Sequence, residues 1–195
     1  PDIVFHTAAL PLAKLENLNT DEAKLGSVDS TVNLLDSITL VQNIKKNYRC
    51  KRFIYISSSM VYGDFKTNKV NETSPVNPKE AYGTMKLAGE IITKGISKLN
   101  NIPYTIIRPS AVYGPTDMNR RVSQIFIESA FEDKLIQIEG KNEKLDFTFI
   151  EDLAKGCVLA GIKKQGINQI FNITYGKGQS LYSYVLNLKK LIPNL

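Results

Sequence analysis

Short apolar runs alternate along the chain with longer stretches in which apolar residues recur at helical spacing. The runs at residues 2–6, 52–56 and 104–108 are typical of strands that are buried on both faces. Residues 27–47 and 80–100, which lie between these runs, are predicted to be helices. Strand, helix, strand, helix, strand is the order expected of a parallel α/β sheet.

The pattern changes after Gly114 and Pro115, where shorter elements follow one another. There the sequence predicts a helix at 122–132, strands at 135–138, 147–150 and 169–173, and helices that begin at Asp152 and Leu181. Asp152 suits a helix N-cap, because its carboxylate can accept the free N–H groups of the first turn. We therefore divide the chain into a sheet domain, residues 1–113, and part of a smaller α+β lobe, residues 114–195, from which segments return to the sheet.

Length and composition restrict the class of protein. The chain has 195 residues, of which 43% are hydrophobic, enough for one domain or for one domain and part of another. No stretch approaches the ~20 consecutive apolar residues of a membrane span, and no basic segment followed by an apolar one resembles a secretory signal. We expect a soluble, cytoplasmic protein that does not bind membranes.

Metal sites and disulfides are not indicated. Cys50 and Cys157 are far apart in sequence and form no Cys-x-x-Cys pair, so two reduced thiols are expected. His6 ends a predicted strand without a second histidine or a carboxylate at a ligand spacing, which favours a structural role. We predict no metal ion.

The net charge of +6 raises the question of nucleic-acid binding. The lysines are scattered among Asn, Asp and Glu, without an arginine-rich run or an alternation of aromatic and basic residues. We therefore expect no nucleic-acid partner. A basic cleft would still favour a substrate or cofactor that carries phosphate, because it raises the local concentration of anions.

Tyr82 and Lys86 lie four residues apart in the predicted helix 80–100, which places them on one face of it, one turn apart. A free phenol has a pKa of ~10 and is a poor base at neutral pH. A neighbouring positive charge favours its ionised form and suits it for acid–base catalysis. The spacing alone is common and identifies nothing by itself.

Short segments follow three of the predicted strands, at 7–9, 57–59 and 110–113, and the first two consist of small residues. Ligands of parallel sheets bind past the carboxyl ends of the strands, so these segments are expected to surround one crevice. Ser58 would there hold a substrate hydroxyl or carbonyl beside Tyr82. The alternative is that these serines only satisfy backbone groups at the strand end.

Three segments in this order resemble successive motifs of extended short-chain dehydrogenases/reductases of the NAD-dependent epimerase/dehydratase family. They are ISSSMVYG at 56–63, Pro78 followed by Tyr82-x-x-x-Lys86, and RPSAVYGP at 108–115. Further stretches agree with the same family, namely VFHTAA at 4–9, TVNLL at 31–35, DFTFIED at 146–152 and FNI at 171–173. The resemblance thus covers nearly the whole chain.

The resemblance implies a Rossmann-type doubly wound sheet, NAD as cofactor with NADP left open, and a nucleotide sugar as substrate. It implies that Tyr82 is the catalytic acid/base, that Lys86 binds the nicotinamide ribose and lowers the pKa of Tyr82, and that Ser58 hydrogen-bonds the reacting oxygen. The residues expected around the cofactor also include Thr7, Ala8, Ala9, Leu10, Pro11, Ser27, Ser57 and Ser110. The residues expected around the substrate are Ser58, Ser59, Tyr82, Ala111, Arg120 and Arg121. A homodimer formed through the helix of Tyr82 is a further implication.

The beginning of the chain departs from the family's pattern. Members begin with a strand and a Gly-rich turn that holds the cofactor pyrophosphate, and no such turn precedes residue 1. We therefore expect an N-terminally truncated sheet that starts near the fourth strand, and a clipped C-terminal end. The alternative is a module that binds its ligand without catalysis.

Single positions depart from the pattern as well. Ser27 stands where many members have an Asn near the cofactor, and Ala111 where many have an Asn that meets the substrate. Leu145 stands where an Arg commonly pairs with the substrate's phosphates. Arg120 and Arg121 are either replacements for that contact or ordinary surface residues.

Ser59 and Met60 bear on the type of reaction. Sugar-nucleotide 4,6-dehydratases of the family carry an Asp-Glu pair at these positions, which removes water from the substrate. Methionine cannot transfer a proton, so dehydration is disfavoured here. The sequence favours an NAD-dependent 4-epimerase of a nucleotide sugar, with a reductase or dehydrogenase as the alternative enzyme.

Overall fold

The computed structural model describes residues 1–9, 20–65, 67, 69–117 and 121–192. In chain order the elements of these residues are β1 (Ile3–His6), α1 (Thr20–Lys24), a π-helical turn (Leu25–Asp29), α2 (Ser30–Ile44), β2 (Arg52–Ile56), a 3-10 turn (Ser59–Tyr62), α3 (Ala81–Leu99), β3 (Tyr104–Pro109), β4 (Ala111–Tyr113), α4 (Val122–Phe131), β5 (Lys144–Leu145), β6 (Phe147–Phe149), α5 (Ile150–Ile162), a second 3-10 turn (Lys164–Gly166), β7 (Gln169–Ile173), β8 (Gln179–Ser180) and α6 (Leu181–Leu191).

The chain divides into two compact units. The sheet unit comprises Pro1–Pro109 and Ala154–Ile173, and the second unit comprises Ser110–Leu153 and Thr174–Leu195. The predicted division into a cofactor domain and a substrate lobe after residue 113 concerns function, and it stays a prediction. None of the helices in the described ranges has the length and apolar content needed to cross a bilayer.

The main sheet has the strand order β1-β2-β3-β7, and its described pairs are all parallel. The register sets Val4 opposite Phe53, Ile54 opposite Thr105, and so on across the sheet. The carboxyl ends of its strands therefore lie at one edge, as the predicted order of strands and helices requires. The predicted parallel α/β sheet is confirmed.

Helices cover both faces of this sheet. Phe53 and Tyr55 of β2 belong to a buried apolar cluster with Leu35 of α2, and α3 contributes further apolar side chains to it. Ile54 points to the opposite face, since side chains alternate along a strand. There it meets α5, where a Cβ at Gly161 would lie 3.2 Å from Ile54 Cδ1. The sheet is thus doubly wound in the Rossmann manner.

The second unit has a small apolar centre of its own. Phe126 of α4 packs there with Leu181 and Leu188 of α6. Two pairs of short strands frame it: β4 pairs with β6 in parallel, and β5 pairs with β8 in antiparallel fashion. Strands β4, β5 and β8 were not predicted, because segments of two or three residues carry too little periodicity to be recognised.

The predicted strand at 135–138 is wrong, because these residues form no strand in the structure. Ile136 and Ile138 pack their side chains against the cluster of Phe126 and Leu188. The alternation of apolar and polar residues at 135–138 therefore reflects a loop that packs on this cluster. The loop makes no strand pairing with another described segment.

Two helix starts also differ from the prediction, while the other helices agree within a few residues. The helix predicted at 27–47 begins with α1 at Thr20 and ends at Ile44. The acidic residues of its first turn, Asp21 and Glu22, interact favourably with the helix N-terminus. Helix α5 begins at Ile150, so Asp152 lies inside its first turn and is not the N-cap. The end of the predicted last helix, residues 193–195, lies outside the described residues.

Gly89 allows α3 to lie close to β2, and this contact can be tested. A Cβ at Gly89 would lie 2.0 Å from Tyr55 Oη, whereas a Cβ at Gly95 of the same helix would meet no described atom within 4 Å. We expect Gly89→Ala to lower the free energy of unfolding by about 1–3 kcal/mol, because the ring or the helix must move.

The matched control is Gly95→Ala, which should raise the free energy of unfolding by roughly 0.5–1 kcal/mol, since alanine favours the helix. Urea unfolding measures both variants. Equal effects at the two positions would contradict the close approach.

Candidate active site

Ser58 stands two residues after the end of β2 and caps the 3-10 turn Ser59–Tyr62. Its Oγ accepts a hydrogen bond from the Met60 N–H at 3.2 Å. The alternative interpretation of these serines is thus correct for Ser58 in part, because it does satisfy a backbone group. A hydroxyl can also donate, and the Ser58 hydrogen has no acceptor among the described residues. It is available to a ligand.

Lys86 lies in α3 with its ammonium held beneath the Tyr82 ring. Its Nζ donates to the Ile56 carbonyl oxygen at 2.8 Å and lies 5.7 Å from the centroid of the Tyr82 ring. The ring of Tyr55 is also close to the ammonium, with 5.5 Å between Nζ and the ring centroid. The structure therefore brings Tyr82 and Lys86 together at the carboxyl end of β2. Their roles in catalysis stay a prediction.

The Lys86 side chain is only 3% exposed, and removal from water lowers its pKa from 10.5 to about 8. An ammonium has three donors, and Ile56 O is the one acceptor near Nζ within the described residues. Two donors are left for a ligand. They fit the paired hydroxyls of a ribose, so the residues present suit the nicotinamide ribose of a dinucleotide.

His6 ends β1 and joins it to α2. Its Nε2 lies 2.9 Å from Thr31 Oγ1, which donates its own hydrogen to the Ser27 carbonyl at 2.6 Å. Nε2 therefore carries the proton in the first of these bonds. Burial, together with the charge of Lys86, lowers the pKa of His6. In the described part of the chain, no group of three His, Cys, Asp or Glu could hold a metal ion.

The other residues predicted around the cofactor differ in their surroundings. Thr7 and Ala8 follow β1 and are exposed, and Ala9 is half-buried. Ser27 is buried in the π-helical turn, and Leu10 and Pro11 lie outside the described residues. Ser57 donates its hydroxyl to Glu90 Oε1 at 2.6 Å and its N–H to the Ile107 carbonyl at 2.7 Å, so Ser57 could contact a cofactor only as a hydrogen-bond acceptor.

Ser110, Ala111 and Arg121 belong to the second unit, whereas Ser58, Ser59, Tyr82 and Lys86 belong to the sheet unit. The Ala111 N–H donates to the Asp146 carbonyl at 3.1 Å, where β4 meets the segment before β6. Arg121 precedes α4 and donates from Nη1 to the Val112 carbonyl at 3.2 Å. Arg120 lies outside the described residues.

Glu90 and Arg108 form a buried ion pair that was not predicted from the sequence. Arg108 donates from Nε and Nη2 to the two carboxylate oxygens of Glu90, at 2.8 and 2.7 Å. Burial alone would lower the pKa of Arg108, but its bonds to Glu90 and Tyr62 outweigh this and raise it. Two signals were present: a charge at the end of the apolar run 104–108, and a carboxylate four residues after Lys86.

Residues 1–174 match the NAD dependent epimerase/dehydratase family. This chain belongs to that family. The residues matched include all of the sheet unit and its turn at Ser58, so the predicted family is confirmed.

Relatives include both epimerases and dehydratases. A putative UDP-glucose 4-epimerase of Methanocaldococcus jannaschii is 33% identical over 185 residues, which are 92% of this chain and 57% of that protein. A dTDP-D-glucose 4,6-dehydratase of Dictyostelium discoideum is 27% identical over 185 residues, covering 88% of this chain and 41% of the relative. The chain thus spans about half the length of the curated relatives that it matches.

A solved structure agrees with the fold over almost the whole chain. It is UDP-glucuronic acid 4-epimerase from Bacillus cereus in complex with UDP-glucuronic acid and NAD. The TM-score is 0.87 at 30% sequence identity, and the match covers 97% of this chain and 59% of that one. The Rossmann-type fold predicted from the sequence is confirmed.

The burial of the Lys86 ammonium is expected to cost stability near neutral pH. The folded-state pKa is about 8 against 10.5 for a free lysine, so the cost is complete below pH 8 and is relieved as pH rises to 10.5. Lys86→Met should therefore raise the free energy of unfolding at pH 7 by about 2 kcal/mol, because the cost of the buried charge exceeds the contribution of the hydrogen bond to Ile56 O that is lost. The gain should shrink between pH 8 and 10.5.

Urea unfolding at several pH values measures this effect. The control is Lys98→Met in the same helix, which removes an exposed ammonium and should change the stability at pH 7 by less than about 0.5 kcal/mol. A loss of stability in Lys86→Met at every pH would show that the buried charge carries no such cost.

Proposed function

We propose that the full-length protein is an NAD-dependent epimerase that inverts C4 of a nucleotide sugar. The observation that carries this proposal is the buried Lys86 ammonium, held by Ile56 O at 2.8 Å and 5.7 Å from the centre of the Tyr82 ring. Ser58, with a hydroxyl hydrogen to donate, stands on the turn that follows the same strand. Relatives named as UDP-sugar 4-epimerases support the choice of substrate.

The residues of the sheet unit divide the work of such a reaction. Lys86 uses its two remaining donors to hold the nicotinamide ribose, and its positive charge favours the ionised phenol of Tyr82. Tyr82 Oη takes the proton of the sugar 4-hydroxyl and returns it when the inverted alcohol forms. Ser58 donates to the same oxygen and orients it. When bound, NAD supplies reversible hydride transfer to and from the sugar carbon.

Ser59 and Met60 distinguish epimerisation from dehydration in this proposal. Both side chains are half-buried on the 3-10 turn beside Ser58. Loss of water from the sugar needs an acid and a base there, and a thioether can be neither. The epimerase therefore remains the better proposal although dehydratases are among the relatives.

We propose further that the protein forms a homodimer through α2 and α3. Both helices carry exposed aliphatic side chains: Ile44 is 70% exposed, Ile91 is 61% exposed and Leu99 is 81% exposed. Exposed apolar side chains that lie together on a surface often mark a site of protein–protein interaction. The predicted cytoplasmic location stays a prediction.

Tyr82→Phe tests the assignment of the acid/base. The variant keeps the ring beside Lys86 and removes the hydroxyl, so kcat should fall by about 10²–10⁴-fold with the fold intact. Interconversion of UDP-glucose and UDP-galactose, and of the corresponding uronic acids, is followed by chromatography. The control is Tyr182→Phe at an exposed position, which should leave kcat unchanged. Full activity in Tyr82→Phe would remove the assignment.

The absorbance of the reduced nicotinamide tests the type of reaction. An epimerase takes the hydride back, so turnover should proceed with no net change in this absorbance. A steady rise or fall that matches product formation would instead indicate a dehydrogenase or reductase. Binding of NAD and UDP-sugar without product, in calorimetry and chromatography, would indicate a module without catalysis.

A further inference from the structure

The Glu90–Arg108 ion pair lies inside the sheet unit, where neither residue is available to a ligand. Glu90 is 0% exposed and Arg108 is 3% exposed. Their two parallel hydrogen bonds join α3 to β3. This pair has no part in the catalytic steps proposed above, and a buried ion pair is weak support for stability, since apolar residues often stabilise equally well.

Two branches lead from the ion pair to the turn that carries Ser58. On one side, Ser57 Oγ donates to Glu90 Oε1 at 2.6 Å. On the other side, Arg108 Nη1 donates to the Tyr62 hydroxyl at 2.9 Å, and the guanidinium lies 4.9 Å from the centre of the Tyr62 ring. Ser57 and Tyr62 are the residues on either side of the segment 58–61. Both ends of the turn are thus fastened to one ion pair.

One member of the ion pair, Glu90, lies in α3, the helix that also carries Tyr82 and Lys86. Glu90 lies four residues after Lys86 and eight after Tyr82, and so on the same face of α3. A rigid helix fixes the distances between these three residues. The position of Ser58 relative to Tyr82 and Lys86 therefore depends on how the turn is attached to Glu90.

The Tyr62 hydroxyl both donates and accepts a hydrogen bond. It accepts from Arg108 and donates to Asn172 Oδ1 at 2.8 Å. The Asn172 N–H in turn donates to Glu72 Oε1 at 2.8 Å, which adds β7 and the loop before α3 to the same chain of hydrogen bonds. A hydroxyl with both a donor and an acceptor as partners has one allowed orientation. These hydrogen bonds therefore fix the orientation of the Tyr62 hydroxyl as well as the position of its ring.

We propose that Glu90 and Arg108 are positioning residues that act through Ser57 and Tyr62 to hold the Ser58 hydroxyl in register with Tyr82 and Lys86. The consequence for catalysis rests on the proposed function, whereas the immobilisation of the turn does not. Loss of the Tyr62 branch should loosen the turn without removing any group that is expected to touch substrate or cofactor.

Tyr62→Phe tests the proposal, because it keeps the ring and removes one branch. Hydrogen–deuterium exchange of the full-length protein reports on the turn through the amides of Met60, Val61 and Gly63, which are hydrogen-bonded within it. Their exchange should become about tenfold faster, the equivalent of one lost hydrogen bond. The control is Tyr48→Phe, which also loses a hydroxyl hydrogen bond, to Pro1 O, outside this turn.

The same variant should lower kcat for the UDP-sugar about tenfold while KM stays within about twofold, since misplacement of Ser58 affects the transition state more than binding. If the amides of the turn exchange at the wild-type rate in Tyr62→Phe, the proposal is overturned. Faster exchange with an unchanged kcat would overturn it as well. If the protein turns over no UDP-sugar, the proposed function fails, and the exchange in Tyr62→Phe alone then decides whether the turn is held as described.

Ser57→Ala removes the other branch and guards against a folding defect in Tyr62→Phe. Faster exchange confined to 58–63 in this variant supports the proposal. Faster exchange spread evenly over the sheet unit, with the turn no different from the rest, overturns it because the branch would then have only a general structural role.

Discussion

The contact between the Lys86 ammonium and the Ile56 carbonyl joins the middle of a helix to the last residue of a strand. It requires α3 to lie against the end of β2 without intervening side chains. Gly83 and Gly89 meet this requirement, since a Cβ would come within 2.7 Å of Met60 O at the first position and 2.0 Å of Tyr55 Oη at the second. Because the helix lies this close, Tyr82 and the Ser58 turn adjoin the same strand end.

Close packing also sets the electrostatics of the site. Exclusion of water lowers the pKa of Lys86, and it makes an unpaired carboxylate at Glu90 too costly to persist. Arg108 supplies the pairing through two hydrogen bonds, and Ser57 supplies a third. The result is one cation, Lys86, with donors left for a ligand, and one ion pair in which each nitrogen of Arg108 and both carboxylate oxygens of Glu90 are hydrogen-bonded within the sheet unit.

Much of the fold follows from local sequence pattern. Helix α3 and the strands β2 and β3 could be predicted because each is long or strongly apolar, and their periodicity is a property of neighbouring residues. The two-residue strands β5 and β8 could not, because each exists only through its partner, and Lys144 and Ser180 pair across a wide gap in sequence. The wrong strand at 135–138 has the same origin: alternation showed which side chains are buried, but not whether a backbone partner lies alongside.

For the site, the sequence by itself determined the family and the candidates Ser58, Tyr82 and Lys86, because motif order and a four-residue helical spacing are one-dimensional properties. Only the tertiary structure decided that Lys86 is buried and donates to Ile56 O, and that Glu90 and Arg108 form an ion pair. Ion pairing and desolvation depend on which groups the fold encloses together. The order of residues along the chain does not show which buried groups lie close to one another in space.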